Sequence, residues 1–139
     1  MSKEKTIRVI VKRPYKEATV ETVTNSLATF QEIVGGLIER VPFPNLPEVD
    51  MYVNEEGKLI HLESNFMIPE YEDCVMGAAY VCGFDDDGNC VSLTDSQIEK
   101  VLDYINTYAL LDGQSVWDDV RYFMNKAKRT MEERKGGNA

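Results

Sequence analysis

Leu27 to Arg40 reads LATFQEIVGGLIER, and the interpretation of this stretch decides the fold. Leu27, Phe30, Ile33, Val34, Leu37 and Ile38 recur at helical spacing, but Gly35 and Gly36 break the run where a helix would otherwise continue. A glycine adopts positive backbone dihedrals without a Cβ penalty, so Gly35 is expected as the C′ residue and Gly36 as the turn. The helix therefore ends at Val34, and Leu37 to Phe43 leaves it as a strand. Helix, corner and strand in that order point to a sheet with helices laid against it.

Upstream, Thr6 to Val11 is rich in β-branched residues and reads as the first strand, interrupted once by Arg8. Lys12 to Lys16 forms a turn carrying three bases, the one cationic patch near the N-terminus. Ala18 to Val23 returns as a second strand with Val20 inward, and Thr24 or Asn25 caps the helix. Downstream, Pro44 to Pro47 makes a rigid excursion. Val49 to Val53 and Lys58 to Leu62 read as a hairpin, with Met51 and Val53 alternating with Asp50, Tyr52 and Asn54, and Gly57 as the left-handed residue of its loop.

Glu63 to Tyr71 lacks periodicity and is expected as a loop along the sheet edge. Cys74 to Phe84 is a near-continuous apolar run, suited to a central strand covered on both faces, with Gly77 and Gly83 marking bulges or close approach. Asp85 to Asn89 turns into a short strand, Cys90 to Leu93. Thr94 with Gln97 makes a capping box for a helix whose apolar face is Ile98, Val101, Leu102, Ile105 and Ala109. Ser115 with Asp118 repeats the pattern for a last helix, with Trp117 as a lid on the core and a charged tail from Glu132. The fold class is α+β: an antiparallel or mixed sheet of about five to six strands with three helices packed against it. Residues 1–112 form one domain, and 113–139 a helical appendage with a basic tail. Its apolar stripe would bury on the same domain or make a homodimer through the C-terminal helix.

The chain has 139 residues, 43% of them apolar, enough for one domain with a core. Its formal charge of −9 is uneven. Residues 61–120 hold thirteen acids against the single base Lys100, whereas residues 121–139 hold six bases and two acids. An acidic middle repels a nucleic-acid backbone, so direct DNA or RNA binding is not expected. Asp85, Asp86, Asp87, Asp118 and Asp119 are instead candidates for an acidic surface facing a basic partner. Cys74, Cys82 and Cys90 lie eight apart with no close pair, which excludes a disulfide framework and a four-ligand zinc site. No apolar run reaches membrane-spanning length, and a cytoplasmic protein is expected.

No catalytic set emerges. The sole histidine, His61, has only Glu56 and Glu63 as nearby acids in sequence, and no nucleophile elbow, His-Glu-x-x-His or Cys-x-x-Cys motif occurs. An acidic neighbourhood raises thiol pKa and disfavours a thiolate. The Asp85 turn fails as a calcium loop, because position six is Cys90 and position twelve Ser96. No catalytic residue, metal site or cofactor is expected.

The motifs LxxFQEIVGGLIE at Leu27 to Glu39 and VNEEGKL at Val53 to Leu59 carry a resemblance. Asn65, the GxAxVxG pattern from Gly77 to Gly83 and SLTDxQI from Ser92 to Ile98 extend it. Over roughly Ile7 to Ile105 the chain resembles the domain of unknown function 3846 family. That resemblance implies a small protein of a phage, plasmid or integrated element, with no established activity. It marks Gln31, Gly35, Gly36, Glu39, Asn54, Glu55 and Gly57 as a candidate ligand-binding set, should the Gly-Gly corner and the hairpin tip meet. The expected function is that of a small acidic binding or regulatory protein, non-catalytic, with a protein partner or a small polar ligand. The alternatives are an anti-defence protein, acting as a polyanion mimic or sequestering a nucleotide signal, and a carboxylate metal-dependent hydrolase.

Overall fold

A computed structural model describes residues 5–110. Two antiparallel sheets carry the fold. The larger follows the order β2-β1-β7-β4-β3, with β8 paired to the end of β7; the smaller is β5-β6. In chain order the elements are β1 (Thr6–Lys12), β2 (Thr19–Thr24), α1 (Leu27–Val34), β3 (Ile38–Pro42), β4 (Val49–Asn54), β5 (Ser64–Ile68), a 3-10 turn (Pro69–Tyr71), β6 (Asp73–Met76), β7 (Ala79–Phe84), β8 (Cys90–Val91) and α2 (Asp95–Tyr108). The α+β reading holds, with six strands in the main sheet. The third expected helix, Trp117 and the appendage boundary lie outside the described residues.

The main sheet is buried on both faces. On one, α1 lays Phe30 and Val34 against Ile7, Val9, Val11, Tyr80 and Cys82. Phe30 stacks on Tyr80 with ring centroids 4.5 Å apart, and Tyr80 stacks on Tyr52 at 4.9 Å. On the other face α2 and the small sheet close over Ile10, Met51 and Val81 with Phe66, Val75, Val101 and Ile105. Burial of this kind is the main favourable term, about 25 cal/mol per Å² of apolar surface removed from water.

The glycine corner behaves as the sequence demands. Gly35 is left-handed at φ 77°, and the N–H groups of Gly35 and Gly36 both donate to Gln31 O, at 2.8 and 3.1 Å. The α2 capping box is complete: Thr94 Oγ1 accepts from Gln97 N at 3.1 Å, and Gln97 Oε1 accepts from Thr94 N at 2.9 Å.

Several expectations are corrected. Ser26 caps α1, because Thr24 is still paired with Thr6 in β2 and Asn25 donates its amide to Cys90 O. Val20 is 45% exposed, since β2 is an edge strand. Lys12 is not in the basic turn but ends β1 and is buried. The hairpin expected across Asn54 to Gly57 does not form: β4 pairs with β3 and β7, so both its edges are occupied. Lys58 to Leu62 coils instead, with Ile60 N donating to Glu56 O and Leu62 N to Gly57 O. Asp50, expected outward, is 2% exposed, because β4 is covered on both faces.

Glu63 to Tyr71 contains β5, all five residues of which are buried, followed by the 3-10 turn. A strand buried on both faces shows no alternation. The apolar run Cys74 to Phe84 divides at Gly77, whose φ of +88° ends β6 and sends β7 into the other sheet. The second half is the central strand that the sequence predicts.

Candidate functional site

Between the β3-β4 end of the main sheet and β6 lies a cleft of about 350 Å³. Val41, Met51 and Val53 form one wall, and Ile68, Val75 and Met76 contribute from the small sheet. Glu39, Glu55, Lys58 and Asp73 bring charge to it, with Lys58 Nζ held by Asp73 Oδ1. Glu39 and Glu55 make no ion pair among the described residues. Leu59, 80% exposed, also lines the cleft, and Ile60 beside it is 53% exposed.

The Gly-Gly corner and the Asn54 to Gly57 turn do meet. Asn54 is their joint: its Nδ2 donates to Val34 O at 3.1 Å, and its Oδ1 accepts from Glu56 N at 2.8 Å. Glu55 N donates to Leu37 O at 2.9 Å, closing the end of the β3-β4 pair. A Cβ on Gly36 would sit 2.9 Å from Asn54 Nδ2, so this glycine permits the approach of the amide. Gly57 has a similar role, and not the left-handed one expected of it. Its φ is not positive, and a Cβ there would lie 2.6 Å from Met76 O. Of the seven residues singled out from sequence, Glu39, Asn54, Glu55 and Gly57 line the cleft; Gln31, Gly35 and Gly36 form the corner behind it.

Two buried polar side chains with no binding role expected from sequence, Asn65 and Asp50, hold the walls in place. Asn65, fully buried, donates its Nδ2 to Lys12 O at 2.8 Å and Gly77 O at 2.9 Å. Its Oδ1 accepts from Lys12 Nζ at 2.8 Å, and Lys12 Nζ also donates to Arg13 O. This network ties β5 to the end of β1 and to the β6-β7 corner. Burial without a carboxylate partner lowers the Lys12 pKa from 10.5 to about 8. On the opposite face, Asp50 Oδ2 accepts from Arg40 Nε at 2.6 Å, and that bond raises the Arg40 pKa. Asp50 Oδ1 and Tyr80 OH have no hydrogen-bond partner among the described residues. A polar residue inside a polar-apolar alternation reads as outward-facing, and nothing local in the sequence marks Asp50 as buried.

The remaining polar features are structural in geometry. Asp85 Oδ1 accepts from Asn89 N at 2.9 Å and from Asp87 N at 3.0 Å, and the Asn89 bond foremost holds its carboxyl below the usual range. Asp86 and Asp87 are exposed beside it, and Asp118 and Asp119 lie outside the described residues. Burial pushes the Cys74 thiol up to about 11, and a hydrogen bond with Cys90, then burial, raises that of Cys82. His61 is exposed, at φ 55°. A second cleft lies around Pro44, Tyr104 and Tyr108, where Glu70 already accepts from Tyr104 OH and Asn45 Nδ2. Among the described residues no three His, Cys, Asp or Glu side chains are placed to hold a metal ion. Likewise no helix there is long and apolar enough to cross a membrane.

No curated protein and no solved structure matches the chain. A family model does, over residues 7–106, so the chain belongs to the family called domain of unknown function 3846. The match takes in the whole cleft and stops short of Trp117 and the basic tail.

Proposed function

We propose that this family member is a non-catalytic binding protein of a mobile element, acting inside the cell, whose site is the cleft between β3-β4 and β6. Its occupant is an extended segment of a partner protein that sets an apolar residue beside a lysine or arginine. The observation that carries this reading is the composition of the cleft: apolar walls, two carboxylates, Glu39 and Glu55, that make no ion pair among the described residues, and a strongly exposed Leu59.

The edge of β3 adds a backbone component. The bonds from Glu55 N to Leu37 O and from Phe43 N to Val49 O set which residues turn toward β4. Leu37, Glu39, Val41 and Phe43 do so, leaving Ile38 and Arg40 with outward N–H and C=O groups. Pro42 ends the free edge, having no N–H and accepting Tyr71 OH on its carbonyl at 2.7 Å. A strand added at Ile38 and Arg40 would supply main-chain bonds while alternate side chains reach the cleft beside Glu39 and Val41.

Selection of displayed random peptides against the full chain tests the reading. Enriched sequences are expected to pair an apolar residue with an adjacent base, to shift the Ile38 and Arg40 amide resonances, and to lose binding to an E39K/E55K double variant and to L59D. Binders that map to other surfaces, or that are indifferent to these changes, would remove the support.

A further inference from the structure

The other edge of the main sheet is β2, and we infer that it is a self-association edge: two copies of this chain pair their β2 strands antiparallel about a two-fold axis at Thr22.

The outward groups follow from the pairing with β1. Asn25 N donates to Lys5 O at 2.9 Å, and the register runs from Thr6 opposite Thr24 to Val11 opposite Thr19. Alternation then turns Thr19, Glu21 and Val23 toward β1, and leaves Val20, Thr22 and Thr24 with their main-chain groups facing away. The Thr24 carbonyl accepts from Ser26 N at 3.0 Å; the other outward N–H and C=O groups of these three residues have no strand beside them. Among the described residues nothing overlies this edge, because α1 departs from the end of β2 and packs across β7, β4 and β3.

The identity of the occupant comes from the side chains. With the axis at Thr22, Thr22 faces Thr22 of the second copy, Val20 faces Thr24, and Glu21 faces Val23. Every outward residue then lies in a hydrogen-bonded pair, and the only charged residue of the strand meets an apolar one. Moving the axis to Glu21 sets two carboxylates against each other; moving it to Val20 or Val23 shortens the paired segment. A strand of six residues with no proline and no lysine, with Val20 45% exposed and its one charge, Glu21, held by Arg13 at 3.0 Å, has few of the usual guards against edge pairing.

The β3 edge shows the guards that β2 lacks. A two-fold that pairs Ile38 with Arg40 opposes Glu39 to Glu39, and one that pairs Arg40 with Arg40 opposes two guanidinium groups and sets Pro42 against Ile38. Both of these β3 registers set like charges against each other, whereas the Thr22 register at β2 sets none.

Sedimentation of the full-length chain over the micromolar range tests this. The wild type is expected to dimerise. Thr22→Lys and Thr22→Glu each place like charges across the axis and are expected to raise the dimer dissociation constant about fivefold or more. An equimolar mixture of the two variants is expected to recover a one-to-one dimer at low salt, since only position 22 faces itself. Circular dichroism reports whether each variant is folded. Amide exchange of the wild type needs no variant: the Val20 and Thr22 amides should be protected in concentrated samples and exchange freely on dilution. A wild type monomeric throughout, a dimer indifferent to both charges, or rapid Val20 and Thr22 exchange within the dimer would each overturn the assignment.

Discussion

The two ends of the main sheet are finished in opposite ways. At the β3 end the chain is tightly constructed: Asn54 bridges the helix corner to the following turn, Gly57 lets Met76 O come within reach, and β6 stands over β4. At the β2 end nothing among the described residues covers the strand, and residues 19, 20, 22 and 24 are exposed. A close-fitted end can shape a cleft that discriminates among ligands. An unadorned end offers only main-chain groups and a pattern of side chains, which suits a partner of identical sequence. The difference shows that recognition at a sheet edge depends on what stands beside the edge as much as on the strand itself.

If the β3 end is the built one, damage to its supports should far exceed damage to β2. Asn65→Ala is expected to cost most, about 4 kcal/mol, because it leaves the buried Lys12 ammonium with Arg13 O alone and takes from the carbonyls of Lys12 and Gly77 the amide that donates to them. Chemical denaturation gives the magnitude. Hydrogen exchange gives the location, and β6 amides should open ahead of those of β1 and β2. Equal loosening of both ends would break the comparison.

Gly57→Ala comes next, at about 2 to 3 kcal/mol, since its Cβ would be 2.6 Å from a backbone oxygen that cannot rotate away. Gly36→Ala should cost less, because the atom it meets is the end of the Asn54 side chain. Thermal unfolding of the two variants side by side checks the order, and the reverse order would refute the close-approach role of Gly57.

The smallest effect concerns Lys12 and pH. Unfolded, Lys12 holds its proton up to about pH 10.5; folded, it releases it near pH 8. Between those values the unfolded chain binds more protons, so the stability contributed at this position rises with pH. Wild type should therefore gain about 1 to 3 kcal/mol relative to Lys12→Met between pH 7 and pH 10. Taking the difference cancels the titrations common to both proteins, including the Cys74 thiol. A gap that is flat or shrinks with rising pH would mean that the buried ammonium is not destabilised by its surroundings.

Local chemistry was legible wherever a few neighbouring residues suffice. Gly35 ends α1, the Thr94-Gln97 box opens α2, and the apolar run before Phe84 supplies the central strand. The errors share one cause, which is that strand partners are not written in the strand. Val49 to Val53 looked like half of a hairpin with Lys58 to Leu62, yet its edges were claimed by β3 and by β7, the latter thirty residues on. Ser64 to Ile68 resembled a loop because burial on both sides erases alternation. In the cleft, Glu39, Asn54, Glu55 and Gly57 were found through their motifs, whereas Met51, Ile68 and Val75 arrived only with the packing of the second sheet.

The amino-acid order by itself determined the glycine stop of α1, the capping box of α2, the α+β class and the acid-rich middle, because capping, backbone dihedrals and charge act over a few residues. Only the tertiary structure decided which strands became neighbours, which polar side chains were buried with partners, and that one edge of the sheet carries a cleft while the other is left uncovered by the described residues. Those outcomes depend on burying surface between segments far apart in the chain, and no short window of sequence contains both sides of such a contact.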